Sequence, residues 1–442
     1  MSDEKTNHGE HAVSRRGFLN TSAKVGAGLA IASAGMDLQP RKADAAGNVT
    51  LTYLGLANPT EFPHGQQDVI AEFNRTHPGI TAKYVAAPAG EANIYHDKLV
   101  TVLSAHDGSI DVFDSDVIWQ AQWAPAGWAV PLDKVFPASA QANYAPGMIA
   151  ADTIGGHIYG IPWLLDTGHL FYRKDILDAA GLKPAKTWQE LHDQGVMLLK
   201  KYPKMVPFVG CYQAGQQLIC NFMEYSWSAG GDFLDPKTGR VVFNSPANLQ
   251  ALNMMISLKN DKVTQPGIVS MELDTGRQIF TNGNAIYHRN WNYAYAAAQA
   301  NPKLAGKVGA TDIPVFPGHP TASTAGGWQY VVNQYSNHVS EATQLAIFMG
   351  SAKTQVFKTL AGGWSPAYLP ANTDSQVVKK YPSFPLLATQ AKTERSRPKT
   401  PFWTAMSVAA EQEITNALIG KKSAQQALKD ANGKIEAILA GA

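Results

Sequence analysis

The sequence predicts an α/β protein built as two lobes. Three observations carry that expectation. The chain opens, after an apolar N-terminal run, with strand–helix–strand–helix–strand; its middle is richer in helix; and 442 residues exceed what one core holds. Hydrophobic residues make up 45% of the chain, enough to bury two cores.

The first strand is "VTLTYLGL" from Val49, with alternating apolar positions. In "HGQQDVIAEFNRTHPGI", Val69, Ile70 and Phe73 recur at helical spacing, and His77-Pro78-Gly79 ends the helix. "TAKYVAA" reads as the second strand, "YHDKLVTVLSAHDG" as the second helix, and "SIDVFDSDVIW" as a strand with polar residues at its carboxyl end. Ligands of parallel α/β sheets gather beyond such ends, which places Asp114 and Asp116 well. Farther on, "TWQELHDQGVMLLKKYP" begins with Thr187 as N-cap and Glu190 three residues later. "LICNFMEYSWSAGG" reads as a helix closed by Gly230-Gly231. "NLQALNMMISLKNDKV" and "DTGRQIFTNGNAIYH" read as a further helix pair, and Thr404 to Leu439 as strongly helical.

Charge excludes several classes. Only 16% of residues are charged, below the roughly 25% usual for soluble domains, so much of the polar surface is amide and hydroxyl. A net charge of +2 offers no concentrated basic face for nucleic acid. The phosphate-loop pattern GxxxxGK[ST] is absent, and the 12 histidines form no H-x-x-x-H or H-E-x-x-H pair, so neither metal nor cofactor is expected. Cys211 and Cys220 are the two cysteines; an oxidising compartment would let them bridge, and otherwise they are small buried residues.

The N-terminus reads as an export signal. Twin arginines stand in "SRRGFLN", followed by the apolar run "VGAGLAIASAGM", too short to span a bilayer, and by Ala43-Asp44-Ala45 as a small-x-small cleavage site. That assigns residues 1–45 to a twin-arginine signal peptide. No cysteine follows the cleavage site, so the mature chain is expected free in the periplasm, neither a lipoprotein nor inserted in the membrane. It is close to neutral.

One stretch speaks to function. Asn284 to Gln299, "NAIYHRNWNYAYAAAQ", sets aromatic rings beside amides. A core needs rings without amides, and a solvated helix needs the reverse. A surface that grips a flat, hydroxyl-covered ligand needs both.

The order of segments resembles the large extracellular solute-binding proteins of ABC sugar importers, the maltose- and trehalose-binding kind. The resemblance rests on "IAEFNRTHPGI", "DVFDSDVIWQAQWAPAGWAVPLD", "GIPWLLDTGHLFYRKDILDAAGL", "SAGGDFLD", "GNAIYHRNWNY", "TAGGWQYVV" and "RPKTPFW", in that order along the chain. It implies the two-lobed periplasmic-binding-protein fold, with mainly parallel sheets flanked by helices and three crossings between lobes. One lobe is expected over 46–165 plus 321–362 and the other over 166–320 plus 363–442. The crossings fall near Leu165–His169, Pro314–Thr321 and Gly362–Pro366. The implied function is capture of a sugar, a disaccharide such as trehalose or a maltose-type α-glucoside, for an ABC permease in the inner membrane. A monomer without catalytic residues is expected.

Within that resemblance, Trp291 and Tyr293 face the cleft from the second lobe, and Gly327 with Trp328 forms the matching platform from the first. Rings stack on the C–H faces of sugars. Asp116 and Asp166 are the carboxylates for sugar hydroxyls, since an ionised carboxylate accepts from two O–H groups. Asp114 shares a strand face with Asp116 and stands as its alternate. Arg397 would fork to ligand hydroxyls or to an aspartate. Glu61 sits in "NPTEFPHG", longer and richer in proline than the family pattern. Trp119 and Trp364 are further walls, Trp403 stands where a Tyr is expected, and His288 has no assigned role. Rival readings are a secreted glycoside hydrolase, an exported redox protein, or the same fold holding a polyol, glycerophosphodiester or polyamine. Cysteine clusters and a GxGxxG fingerprint are lacking, which disfavours the redox reading.

The export reading makes a direct prediction. Changing Arg15 and Arg16 together to Lys should hold the precursor in the cytoplasm, and N-terminal sequencing of the exported wild-type chain should begin at Ala46. Undiminished periplasmic yield of the double variant would remove the twin-arginine assignment.

Overall fold

A computed structural model of the chain describes residues 48–58, 64–88, 92–390 and 393–441. The signal segment and Glu61 lie outside these residues. The described strands are β1 (Val49–Gly55), β2 (Ile80–Ala86), β3 (Val112–Asp116), β4 (Thr153–Ile154), β5 (His157–Ile158), β6 (Ile161–Arg173), β7 (Val206–Val209), β8 (Ala285–Trp291), β9 (Val308–Thr311), β10 (Ser323–Val332) and β11 (Glu394–Arg395). Helices pack between them. A nine-stranded sheet runs in the order β2-β1-β3-β10-β6-β8-β7, with β9 on β6 and β11 on β10.

The sheet is mixed, and its two directions divide by position. β1 pairs in parallel with β2 and β3, and β7 with β8. At the centre, β10 runs antiparallel to both β3 and β6, and β6 antiparallel to β8. β6 and β10 carry the chain in opposite directions between two cores, so they cannot be parallel to each other.

The cores are distinct. Leu51, Val69, Phe73, Trp163 and Leu165 pack with Tyr330, Leu345 and Trp364, beside a second cluster of Leu99, Phe113, Trp119 and Trp123. On the other side, Leu170, Trp188, Leu191, Phe208, Phe222 and Met255 pack with Trp403 and Ile414, beside Phe171, Phe280, Tyr295 and Phe384. Between Leu165 and Leu170 the chain reads Asp166, Thr167, Gly168, His169, and these residues belong to no apolar cluster. On β10 the matching gap lies between Ala322 and Tyr330. Near the third expected crossing, Trp364 and Ala367 pack in the first core, while Leu360 and Val377 pack with Phe171 and Phe384.

Local sequence explains most elements. Thr187 and Glu190 form the expected capping box, the Thr187 hydroxyl accepting from Glu190 N–H at 3.0 Å. After the helix Gln216–Trp227, Gly230 adopts a φ of 84° as a helix stop requires. One reading needs correction. "DTGRQIFTNGNAIYH" is not all helix: the helix Leu273–Thr281 ends before Gly283, and Ala285–Trp291 is a strand with every residue buried. Ile286, Tyr287 and Trp291 favour the pleated strand, and the Asn-Gly turn breaks the helical period.

Candidate functional site

A cavity of about 270 Å³ opens where the two cores face each other. This is near the lower end of small-molecule sites, which run roughly 300–1,000 Å³. Leu56, Asn58, Tyr95, Trp328 and Trp364 line it from the first lobe, and Gln217, Asp274, Arg277, Trp291 and Tyr293 from the second. Asp166, on the crossing part of β6, lies between them.

Each ring is held from behind. Trp328 stacks near Tyr95, with centroids 6.0 Å apart and planes at 21°, and meets Trp119 edge-on at 5.4 Å. Gly327 precedes it at a φ of 139°, and a Cβ there would come within 2.6 Å of the Leu164 carbonyl oxygen. Glycine is therefore required where β10 closes on β6. Trp291 donates its indole N–H to Gln217 Oε1 at 3.1 Å, and the Arg289 guanidinium lies 4.2 Å from its ring centre. Arg289 is in turn paired with Glu224, its Nε donating to Oε2 at 2.7 Å, and both side chains are fully buried. Glu224 also accepts from the Thr324 N–H at 3.1 Å, which ties the pair to β10. Such a planar, two-pronged pair fixes orientation as well as charge. Tyr293 heads the helix Tyr293–Ala300, with the Arg277 guanidinium 5.9 Å from its ring centre.

Asp166 is the chemical centre. It is 6% exposed, and its Oδ1 has no hydrogen-bond partner. Burial pushes its carboxyl up to about 7; Asp116 adds to the rise and Arg289 opposes it. A buried polar atom left unsatisfied costs roughly 1–3 kcal/mol, more when charged. The residue also lines the cavity, where a hydroxyl-bearing ligand would meet its carboxyl group. Its neighbour Thr167 turns the other way and donates its hydroxyl to Glu394 Oε1, as alternate strand residues must.

The remaining expected residues lie elsewhere. Asp116 is outside the lining of this cavity: it pairs with Arg397, whose Nη2 donates to Oδ1 at 3.2 Å. Arg397 also donates to Gln216 Oε1 at 3.2 Å and lines a separate cavity of about 150 Å³ with Glu394 and Lys399. The pair thus bridges the two lobes behind the rings. Asp114 is wholly internal, accepting from Tyr53, Trp163 and the Leu56 N–H. Trp119 backs Trp328 rather than lining the cavity, while Trp364 does line it. Trp403 is core, 5.1 Å from Phe233 and donating to Gln216. His288 is buried within hydrogen-bond reach of the Val209 carbonyl and of Asn290, and burial lowers it to about 3. Cys211 and Cys220 are both buried, and the Cys211 thiol donates to the Met271 carbonyl at 3.7 Å. Among the described residues no group of three His, Cys, Asp or Glu stands together to hold a metal ion.

Sequence reasoning missed Asn58, Tyr95, Gln217, Asp274 and Arg277 as lining residues. Asp274 and Arg277 had a signal: "DTGR" spaces them three apart, one helical turn, and their side chains pair at 3.2 Å. Tyr95 and Gln217 had none, since each sits inside an ordinary helical pattern.

Residues 57–356 match the family described as bacterial extracellular solute-binding protein. A probable ABC transporter-binding protein of Deinococcus radiodurans is 30% identical over 345 residues, covering 76% of this chain and 81% of that one. A maltose-bound structure from T. maritima superposes with a TM-score of 0.83 at 29% identity, over 88% of this chain and 99% of the other. A mannitol-bound solute-binding protein of Agrobacterium vitis shares the fold at a TM-score of 0.78 and 21% identity, over 88% and 98%.

The paired rings can be tested apart from the core. Trp291→Ala and Trp328→Ala should each weaken sugar binding by roughly thirtyfold or more, about 2 kcal/mol, as truncation of a central ring does. Urea titration should show ligand-free stability changed by less than about 1.5 kcal/mol for Trp328→Ala, whose ring is only partly buried. A loss of 3–5 kcal/mol with normal binding would make these rings core.

Proposed function

We propose that this chain, which belongs to the bacterial extracellular solute-binding proteins, captures a disaccharide of the maltose or trehalose type between its lobes and hands it to an ABC permease of the inner membrane. The observation that carries this reading is the placement of Asp166: a buried carboxyl that lines a cavity walled by Trp291 and Trp328 from opposite lobes. Rings on two sides take the C–H faces of a sugar, and the carboxylate with Gln217, Asn58 and Arg277 takes its hydroxyls. The Arg397–Asp116 pair holds the lobes in register behind the site rather than touching the ligand. We place the mature chain in the periplasm as a monomer, exported by the twin-arginine route. No helix among the described residues is long and apolar enough to cross a membrane.

A polyol is the second reading, favoured by the modest cavity volume of about 270 Å³. Hydrolysis is the reading the test must exclude, since a glycosidase needs two carboxyls flanking one bond and Asp166, Glu272 and Asp274 all line this cavity.

A thermal-shift panel of maltose, trehalose, mannitol and ribitol separates these readings. A ligand at a hundredfold its dissociation constant adds about 2.7 kcal/mol to stability. The expected result is a shift with maltose or trehalose that is lost in Asp166→Asn, with the sugar recovered uncleaved. A shift with mannitol or ribitol alone would replace the disaccharide by a polyol, and no shift with any would overturn the sugar site.

A further inference from the structure

Behind the cavity wall the first lobe buries a lysine that ligand capture does not itself explain. Lys358, on the helix Ala352–Gly362, is 1% exposed. Its Nζ donates to the Tyr330 hydroxyl at 2.7 Å and sits 3.0 Å from the centre of the Trp163 ring. The Trp364 ring centre is 5.0 Å away. Trp163 stacks on Tyr330 with centroids 5.5 Å apart and meets Trp364 edge-on at 5.7 Å. The amine therefore sits inside three rings, one of which, Trp364, is a wall of the cavity.

The same cluster reaches the wall at a second point. Asp114 accepts from the Trp163 indole N–H at 2.9 Å and from the Leu56 N–H at 2.7 Å, and Leu56 begins the cavity-lining run Leu56–Asn58. Tyr53 closes the arrangement, its hydroxyl 3.0 Å from both Asp114 oxygens. Burying a lysine and an aspartate is costly, and apolar residues of similar volume would fill the space with less penalty. What an apolar core lacks is direction. An amine donating to one hydroxyl and one ring face, and a carboxylate accepting from one indole and one backbone N–H, set ring planes and a loop start that dispersion alone leaves free to slide.

We propose that Lys358 is a positioning residue for the sugar site, holding the plane of Trp364 through Trp163 and Tyr330, with Asp114 tying the same cluster to Leu56. The proposal rests on reading the cavity as a sugar site, and it concerns a residue that touches no ligand. Burial pulls the amine well below the ordinary lysine range while Asp114 opposes the fall; either protonation state keeps the two N–H donors used here.

The test uses the full mature chain labelled with 5-fluorotryptophan, the Trp364 resonance being assigned by its loss in Trp364→Phe. Lys358→Met removes the amine at similar length. Tyr330→Phe removes its hydroxyl partner with almost no change of volume, and serves if the first variant folds poorly. In both, the Trp364 line should shift or broaden while the Trp188 and Trp403 lines of the other lobe stay in place. Affinity for whichever of maltose, trehalose, mannitol and ribitol binds the wild type should fall at least tenfold, and the effect should vanish in a Trp364→Ala background. An unmoved Trp364 line, or full affinity despite a moved line, would overturn the positioning role. Failure of the wild type to bind any of the four would instead overturn the site reading beneath it, a result visible before any variant is made.

Discussion

Everything in the molecule depends on two strands that serve two cores. β6 spends its first residues among Trp163, Leu164 and Leu165 and its last among Leu170 and Phe171. Between the cores nothing apolar is available, so Asp166 to His169 and Ser323 to Thr324 are polar or glycine, and they are buried. A Cβ at Gly168 would come within 2.4 Å of Glu224 Oε1 and 2.5 Å of an Arg289 nitrogen, which shows how closely side chains from the second lobe press on the crossing. Several of the polar groups in this dry seam are paired. Thr167 is paired with Glu394, Ser323 with the Gly168 carbonyl, Thr324 with Cys220 and Glu224. Asp166 lines the cavity.

That seam orders the rest by distance. Trp291 and Trp328 end or occupy strands that flank it, so the rings inherit their positions from sheet register: Gly168 pairs with Trp291, and Leu164 with Trp328. Behind the rings come the charged supports, Glu224–Arg289 in one lobe and Asp116–Arg397 across both. These buried pairs are poor sources of net stability, since desolvation offsets their attraction. Their worth lies in fixing angles. The site is thus assembled from groups that cost folding free energy, as sites with unsatisfied ligand-binding atoms do.

The α/β order from β1 to β3 was legible because each element announced itself locally, and Thr187–Glu190 did the same for its helix farther along. The run of amides and aromatics that drew attention to Trp291 and Tyr293 is a strand leading into a short helix, and both residues line the cavity. Asp116 was expected at the ligand as a strand-end aspartate, and Arg397, through the family resemblance, at ligand hydroxyls or at an aspartate; its bond to Asp116 is the second of those alternatives. Nothing local reveals that each is the other's partner, since 281 positions separate them. Tyr95 and Gln217 were invisible for the same reason: their role is set by which lobe faces them. Glu61 lies outside the described residues.

The central claim is that one ligand is held by both lobes at once, so that binding favours the closed arrangement. Small-angle X-ray scattering of the mature chain, with and without the sugar that shifts its melting temperature, tests this most directly. The account predicts a smaller radius of gyration at saturating sugar, and no such change in Trp291→Ala at the same concentration. Superimposable curves for the wild type, with sugar bound by calorimetry, would contradict it.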